Sequence, residues 1–123
     1  MILLMDKKQA NKLLNEWKYR LGLYDWRIML AHECTPDDMP LEKCSGCVTF
    51  EESTKVATIY ILSEQCYSNK AVPYHFEETL VHELLHLKMS LLSDTSGSLQ
   101  DRVVHQIIDD LARAFVSAKS NGN

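Results

Sequence analysis

The sequence predicts an α+β fold: an N-terminal helix, a small three-stranded antiparallel sheet, a helix carrying a histidine motif, and a C-terminal helix. Three observations carry this. Apolar residues recur three and four apart over residues 6–21 and again over 74–92, the period of one helix face. Residues 26–32, 47–51 and 55–62 are short, rich in Val, Ile, Thr, Phe and Tyr, and bounded by polar or proline-bearing segments, as strands are. A helical stripe then returns after the polar break at residues 93–97. With 123 residues, the chain is expected to form one domain, 1–123, around one core.

Each element has a local reason. Asp6 is placed to cap the first helix, Ala10, Leu13, Leu14, Trp17 and Leu21 form its apolar stripe, and Gly22 ends it. Trp26, Ile28 and Leu30 alternate with other residues, which predicts the first strand. Pro36 and Pro40 mark residues 35–42 as a loop. The polar Glu52-Ser53-Thr54 between the next two strands predicts a hairpin. Residues 63–73 connect to the second long helix, placed at 74–92. Ser98 and Asp101 resemble a capping box that starts the last helix. Its expected stripe is Val104, Ile107, Ile108, Leu111, Ala114 and Phe115, with residues 117–123 expected to fray.

Composition narrows the function. An apolar fraction of 46% and a charged fraction of 24% are those of an ordinary globular protein. The net charge of -4 provides no basic footprint for nucleic acid. The apolar start, residues 1–5, is too short for a signal peptide, and no stretch approaches the ~18 apolar residues of a membrane span. The expectation is a cytoplasmic protein without a membrane partner. Its four cysteines, Cys34, Cys44, Cys47 and Cys66, are then expected to be reduced. Cys44 and Cys47 form one Cys-x-x-Cys pair. A zinc site from this pair with Cys34 and Cys66 is the sharper alternative to plain reduced thiols.

The chemistry concentrates at His82-Glu83-Leu84-Leu85-His86. On a helix, histidines four apart lie one above the other, so both imidazoles can reach one ion. Glu83 lies beside the pair, where a carboxylate can take a proton from a metal-activated water. Leu80, Leu84, Leu87 and Leu91 form a stripe that docks the helix while the histidines face elsewhere. A third ligand is expected on the last helix. His105 is the first candidate, with Asp109 placed one turn on to hydrogen-bond the far nitrogen of a ligating histidine. Asp109 or Asp110 as the third ligand remains the alternative. Tyr60, Tyr67, Tyr74 and His75 are candidates for steadying an oxyanion, although aromatic residues at such places more often pack against the core. Glu77 and Glu78 are explained by the dipole of the helix they begin.

His82, Glu83 and His86, followed by a ligand-bearing helix, resemble the zincin metallopeptidases in their minimal single-domain forms, the minigluzincin and SprT-like groups. The similarity of element order covers nearly the whole chain. It implies a Zn2+ ion held by His82 and His86, Glu83 as catalytic base, and peptide-bond hydrolysis. It also implies that the strand from Lys55 to Leu62 is a sheet edge along which a peptide or protein substrate lies. Gluzincins usually place a glutamate where this chain has His105, with a supporting aspartate where it has Asp109. SprT-like proteins use a third histidine. So short a chain lacks the second lobe of a larger peptidase, so a protein partner completing the cleft is one expectation. A non-catalytic zinc-binding regulatory or interaction module is the alternative function.

Overall fold

In the computed structural model, which describes residues 5–42, 44–69, 71–90 and 99–122, helices α1 (Lys7–Arg20), α2 (Phe76–Lys88) and α3 (Leu99–Ser120) accompany strands β1 (Arg27–Cys34), β2 (Gly46–Glu51) and β3 (Val56–Leu62). The architecture is mixed α and β, as expected. Helices α1 and α2 lie against the sheet, and α3 packs on α2.

Helix α1 begins as its sequence predicts. The Gln9 N–H donates to the Asp6 carboxylate at 2.7 Å, and the Asp6 N–H donates back to the Gln9 side chain, satisfying two donors that the first turn leaves open. Gly22, with φ +69°, turns the chain out of the helix in the left-handed region that glycine enters without strain. Ala10, Leu14 and Trp17 are buried, and they meet Leu80, Val81 and Leu84 of α2 and Ile59 and Ile61 of β3 in one core.

The sheet differs from expectation in two ways. It is mixed: β2 and β3 form the predicted antiparallel hairpin, but β1 runs parallel to β3. The strand order is β1-β3-β2, so β3 is central and the segment from Lys55 to Leu62 is no edge. The connection explains both. β1 and β2 run in opposite directions about two strand spacings apart, roughly 10 Å. The returning β3 then fills the gap between β1 and β2. Side-chain pattern suits β3 to the centre, because Ala57, Ile59 and Ile61 are buried toward the helices. The far half of β2, Thr49-Phe50-Glu51, is exposed. The edges of the sheet are β1 and β2.

The second helix starts at Phe76 with His75 as its N-cap, whose Nδ1 accepts the Glu78 N–H at 3.3 Å. On α3 the buried stripe is Val104, Ile108, Ala112 and Val116, rotated from the expected one; Ile107, Ala114 and Phe115 are exposed. The helix also continues through Ser120, where fraying was expected. Two contacts hold this end: Val116 is buried, and the Lys119 ammonium reaches both Glu16 and Glu77. Glu77 does more than answer the helix dipole, since it also accepts the Trp17 indole N–H at 2.6 Å and so ties α1, α2 and α3 together. Helix α2 ends at Lys88 with Met89 as its C-cap, short of the expected residue 92; Leu91 of the expected stripe, the break at 93–97 and the cap at Ser98 lie outside the described residues. Among the described residues, no helix is long and apolar enough to cross a membrane.

Candidate metal centre

Helix α2 has its apolar side against the core, with Leu80, Leu84 and Leu87 fully buried. That rotation turns His82 and His86 toward α3. Their Nε2 atoms stand 3.1 Å apart, close to the roughly 3.3 Å separating two nitrogens on a tetrahedral zinc with ~2.0 Å bonds. The antiparallel partner helix brings His105 to them, its ring centroid 4.4 Å from that of His86 and 6.4 Å from that of His82. One donor nitrogen from each of the three lies within 4.8 Å of the others. Among the described residues this is the one grouping of three His, Cys, Asp or Glu donors close enough to share an ion.

Asp109, one turn after His105, does not join that grouping. Its Oδ1 accepts from His82 Nδ1 at 2.8 Å. A proton held there leaves the Nε2 lone pair of His82 aimed at the other histidines, the tautomer a metal ligand needs. Asp110 is engaged elsewhere, pairing with Arg113 at 3.0 Å. The three candidates for a third ligand are thus sorted by position: His105 faces the pair, Asp109 braces it, and Asp110 points to solvent beside Arg113. Burial holds His82 below the usual imidazole range, and the nearby His105 adds to this against the opposing pull of Asp109. A neutral imidazole is the form that binds a metal.

Glu83 is buried, 7% exposed, yet borders a cavity that His82 also lines. Burial pushes its carboxyl up to about 8, with the negative charge of Asp109 contributing. The β2 strand sets its position. A Cβ added at Gly46 would stand 3.0 Å from the Glu83 carboxylate oxygen and 2.6 Å from the Thr79 methyl. Only a residue without a side chain lets the strand come this close. Nothing local in the sequence marks Gly46, because the requirement arises from a helix thirty-odd residues further on.

The cavity here measures about 450 Å³ and is lined by His82, Glu83, Asp109 and Arg113 on the helices and by Cys44, Ser45 and Gly46 at the start of β2. Tyr67 and Tyr74 also line it, but their hydroxyls donate to the Val72 and Leu62 carbonyls at 2.6 and 2.7 Å. Both anchor the 63–75 connector. His75 caps α2, and Tyr60 alternates to the sheet face away from the helices. Glu78 also borders the cavity, with His75 Nε2 3.7 Å from its carboxylate.

The cysteines do not assemble a second centre among the described residues. Burial raises the Cys34, Cys44 and Cys47 thiols, Cys47 to about 11, and the Glu83 charge adds to this for Cys44 and Cys47. Thiols so raised stay protonated near neutral pH.

No family model, curated protein or solved structure matches the chain, so the chemistry of this site rests on its own geometry.

Proposed function

We propose that the protein is a zinc-dependent metallopeptidase. The observation that carries the reading is the convergence of three histidines on one point with a buried carboxylate, Glu83, beside them and a second carboxylate, Asp109, bracing His82. Neutral nitrogen donors in threes suit zinc and leave a coordination position for substrate or water. A bound zinc supplies Lewis acidity, lowering the pKa of a water to about 7 and polarising a carbonyl oxygen.

The chain's own residues do the rest. Glu83 takes the proton of the attacking water and hands it to the leaving amine. Asp109 keeps His82 in one tautomer and one orientation throughout. The peptide joins the outer edge of β2. Ser45 accepts from the Leu62 N–H at 2.9 Å, so by the alternation of an antiparallel ladder Gly46, Val48 and Phe50 turn their backbone groups outward. Main-chain pairing there holds a substrate without demanding a particular sequence. Gly46 sets that edge directly against Glu83.

A non-catalytic zinc module is the second reading, favoured by the exposure of His105 and the openness of the site to solvent. A structural site, however, has no use for a buried base at its margin. Metal analysis and hydrolysis of unfolded protein substrates separate the two. The peptidase reading expects about one zinc per chain, hydrolysis by the wild type, and retained zinc without hydrolysis in Glu83→Gln. Zinc in both with hydrolysis in neither selects the module. Absence of zinc removes both.

A further inference from the structure

We propose that two copies of this chain associate through the outer face of α3, the two helices running antiparallel about a twofold axis between Asp110 and Leu111. The inference goes beyond the metal centre and does not depend on it. Val103, Ile107, Leu111, Ala114 and Ala118 recur three and four apart and form a second apolar stripe on α3. This stripe is turned away from the buried one of Val104, Ile108, Ala112 and Val116. Val103 is 46% exposed and Ile107 42%, and Ala114 and Ala118 are exposed as well. A helix already anchored by one apolar face thus shows a second to solvent, the mark of a contact with another molecule.

The order of side chains along the stripe names the occupant. Its first half is bulky, Val103 and Ile107, and its second half is small, Ala114 and Ala118. The pair Val103 and Ala118 and the pair Ile107 and Ala114 share one midpoint, between Asp110 and Leu111. A twofold axis there sets each large side chain of one copy against a small one of the other, the self-complementarity an isologous interface needs. Val103 then meets the partner's Ala118, and Ile107 meets the partner's Ala114. A cavity of about 210 Å³ between α1 and α3, walled by Trp17, Leu21, Phe115 and Ala118, lies beside the small half. The partner's Val103 arrives at its mouth. A parallel pair would set large against large at one end and small against small at the other.

Charge agrees with the same axis. Asp110 and Arg113 stand on one flank of the stripe, exposed and paired with each other at 3.0 Å. Antiparallel pairing brings this flank of one copy to the same flank of the other. The partner's Asp110 then stands level with Leu111, about two residues or roughly 3 Å along the helix from Arg113. Two carboxylates and two guanidinium groups alternate around the axis, which fixes register and direction more than strength. Arg113 also lines the cavity that Glu83 borders, so the partner's Asp110 stands at the margin of that cavity. His105 and Asp109 lie on the other side of α3 from the stripe, so the histidine cluster stays open in the pair.

Sedimentation equilibrium of the full chain, with and without zinc, tests this. The expected result is a monomer–dimer equilibrium that shifts to monomer on dilution through the micromolar range, in both conditions. Ile107→Asp, at an exposed position, should weaken the dimer at least about a hundredfold while circular dichroism shows the fold intact. Asp110→Arg alone gathers four cations at the axis, and Arg113→Asp alone gathers four anions, so each should be monomeric. An equimolar mixture of these two variants should recover the dimer, because each supplies the charge the other lacks. A chain that stays monomeric at concentrations of order 1 mM overturns the proposal and assigns the stripe to another occupant. A dimer that Ile107→Asp leaves intact overturns the choice of face. A mixture that stays monomeric overturns the antiparallel axis, and open-ended oligomers overturn the closed twofold.

Discussion

Asp109 holds His82 from behind: its Oδ1 lies 2.8 Å from Nδ1, while Nε2 of the same ring faces His86 at 3.1 Å. The two side chains come from different helices, so the joint between α2 and α3 also sets the geometry of the histidine cluster. Asp109→Asn should keep the fold and lower zinc affinity by about 10–100-fold. His105→Ala should cost more, because it removes a donor, and Asp110→Ala should cost almost nothing. Competition against a chromophoric zinc chelator ranks the three. Equal losses for Asp109→Asn and Asp110→Ala would remove the brace from the account.

Zinc binding should expel a proton from Glu83. Burial holds that carboxyl up to about 8 without metal, so it is largely protonated at pH 7, and a cation beside it drives it to the ionised form. Proton release measured by calorimetry in buffers of different ionisation enthalpy should be substantial at pH 7. It should fade as pH rises past about 8, where the metal-free protein has already lost that proton. Glu83→Gln should abolish this component while zinc still binds.

Gly46→Ala should damage the site more than its size suggests. The added methyl meets Thr79 and Glu83 at distances of 2.6 and 3.0 Å, which forces the strand and helix apart. A stability loss of about 1–3 kcal/mol is expected by denaturant titration. Hydrolysis should fall further than stability alone explains, since Glu83 itself is displaced. Equal activity in glycine and alanine forms would show that this close approach is not required.

The Glu16–Lys119–Glu77–Trp17 network should make stability depend on pH at both extremes. Partial burial works against the charged form of Glu16, but its bonds to Lys119 and Arg20 outweigh it and hold the carboxyl below its ordinary value. Its contribution is therefore complete above about pH 4.5 and lost as acid titrates it. Lys119 is raised, burial again being outweighed by Glu77 and Glu16, so its contribution is complete below about pH 10 and lost in stronger alkali. Glu16→Gln should flatten the acid limb of a stability–pH curve. Glu77→Ala, which strands the Trp17 indole N–H, should cost about 1–3 kcal/mol at pH 7 and shift the tryptophan emission.

Much of the fold was legible because its signals are local. The α1 cap at Asp6, the Gly22 stop, the β2–β3 hairpin and the pairing of His82 with His86 all follow from periods and turns spanning a few residues. The stripe of α3 was read one notch off. Ile107 and Phe115 are as apolar as Ile108 and Val116, and hydrophobicity alone does not say which side meets α2.

By itself, then, the sequence determined that two histidines and a glutamate share one helix, and that a helix bearing His105 and Asp109 follows. An α-helix holds any two residues four apart at a fixed distance, whatever surrounds it. Tertiary structure alone decided that His105 stands with His82 and His86, that Asp109 pairs with His82 Nδ1 outside that grouping, and that β2 rather than β3 forms the edge beside Glu83. Those outcomes depend on which strand takes the place between β1 and β2, and on which faces bury when helices and strands meet. They are set by packing between segments distant in sequence, and no local pattern encodes it.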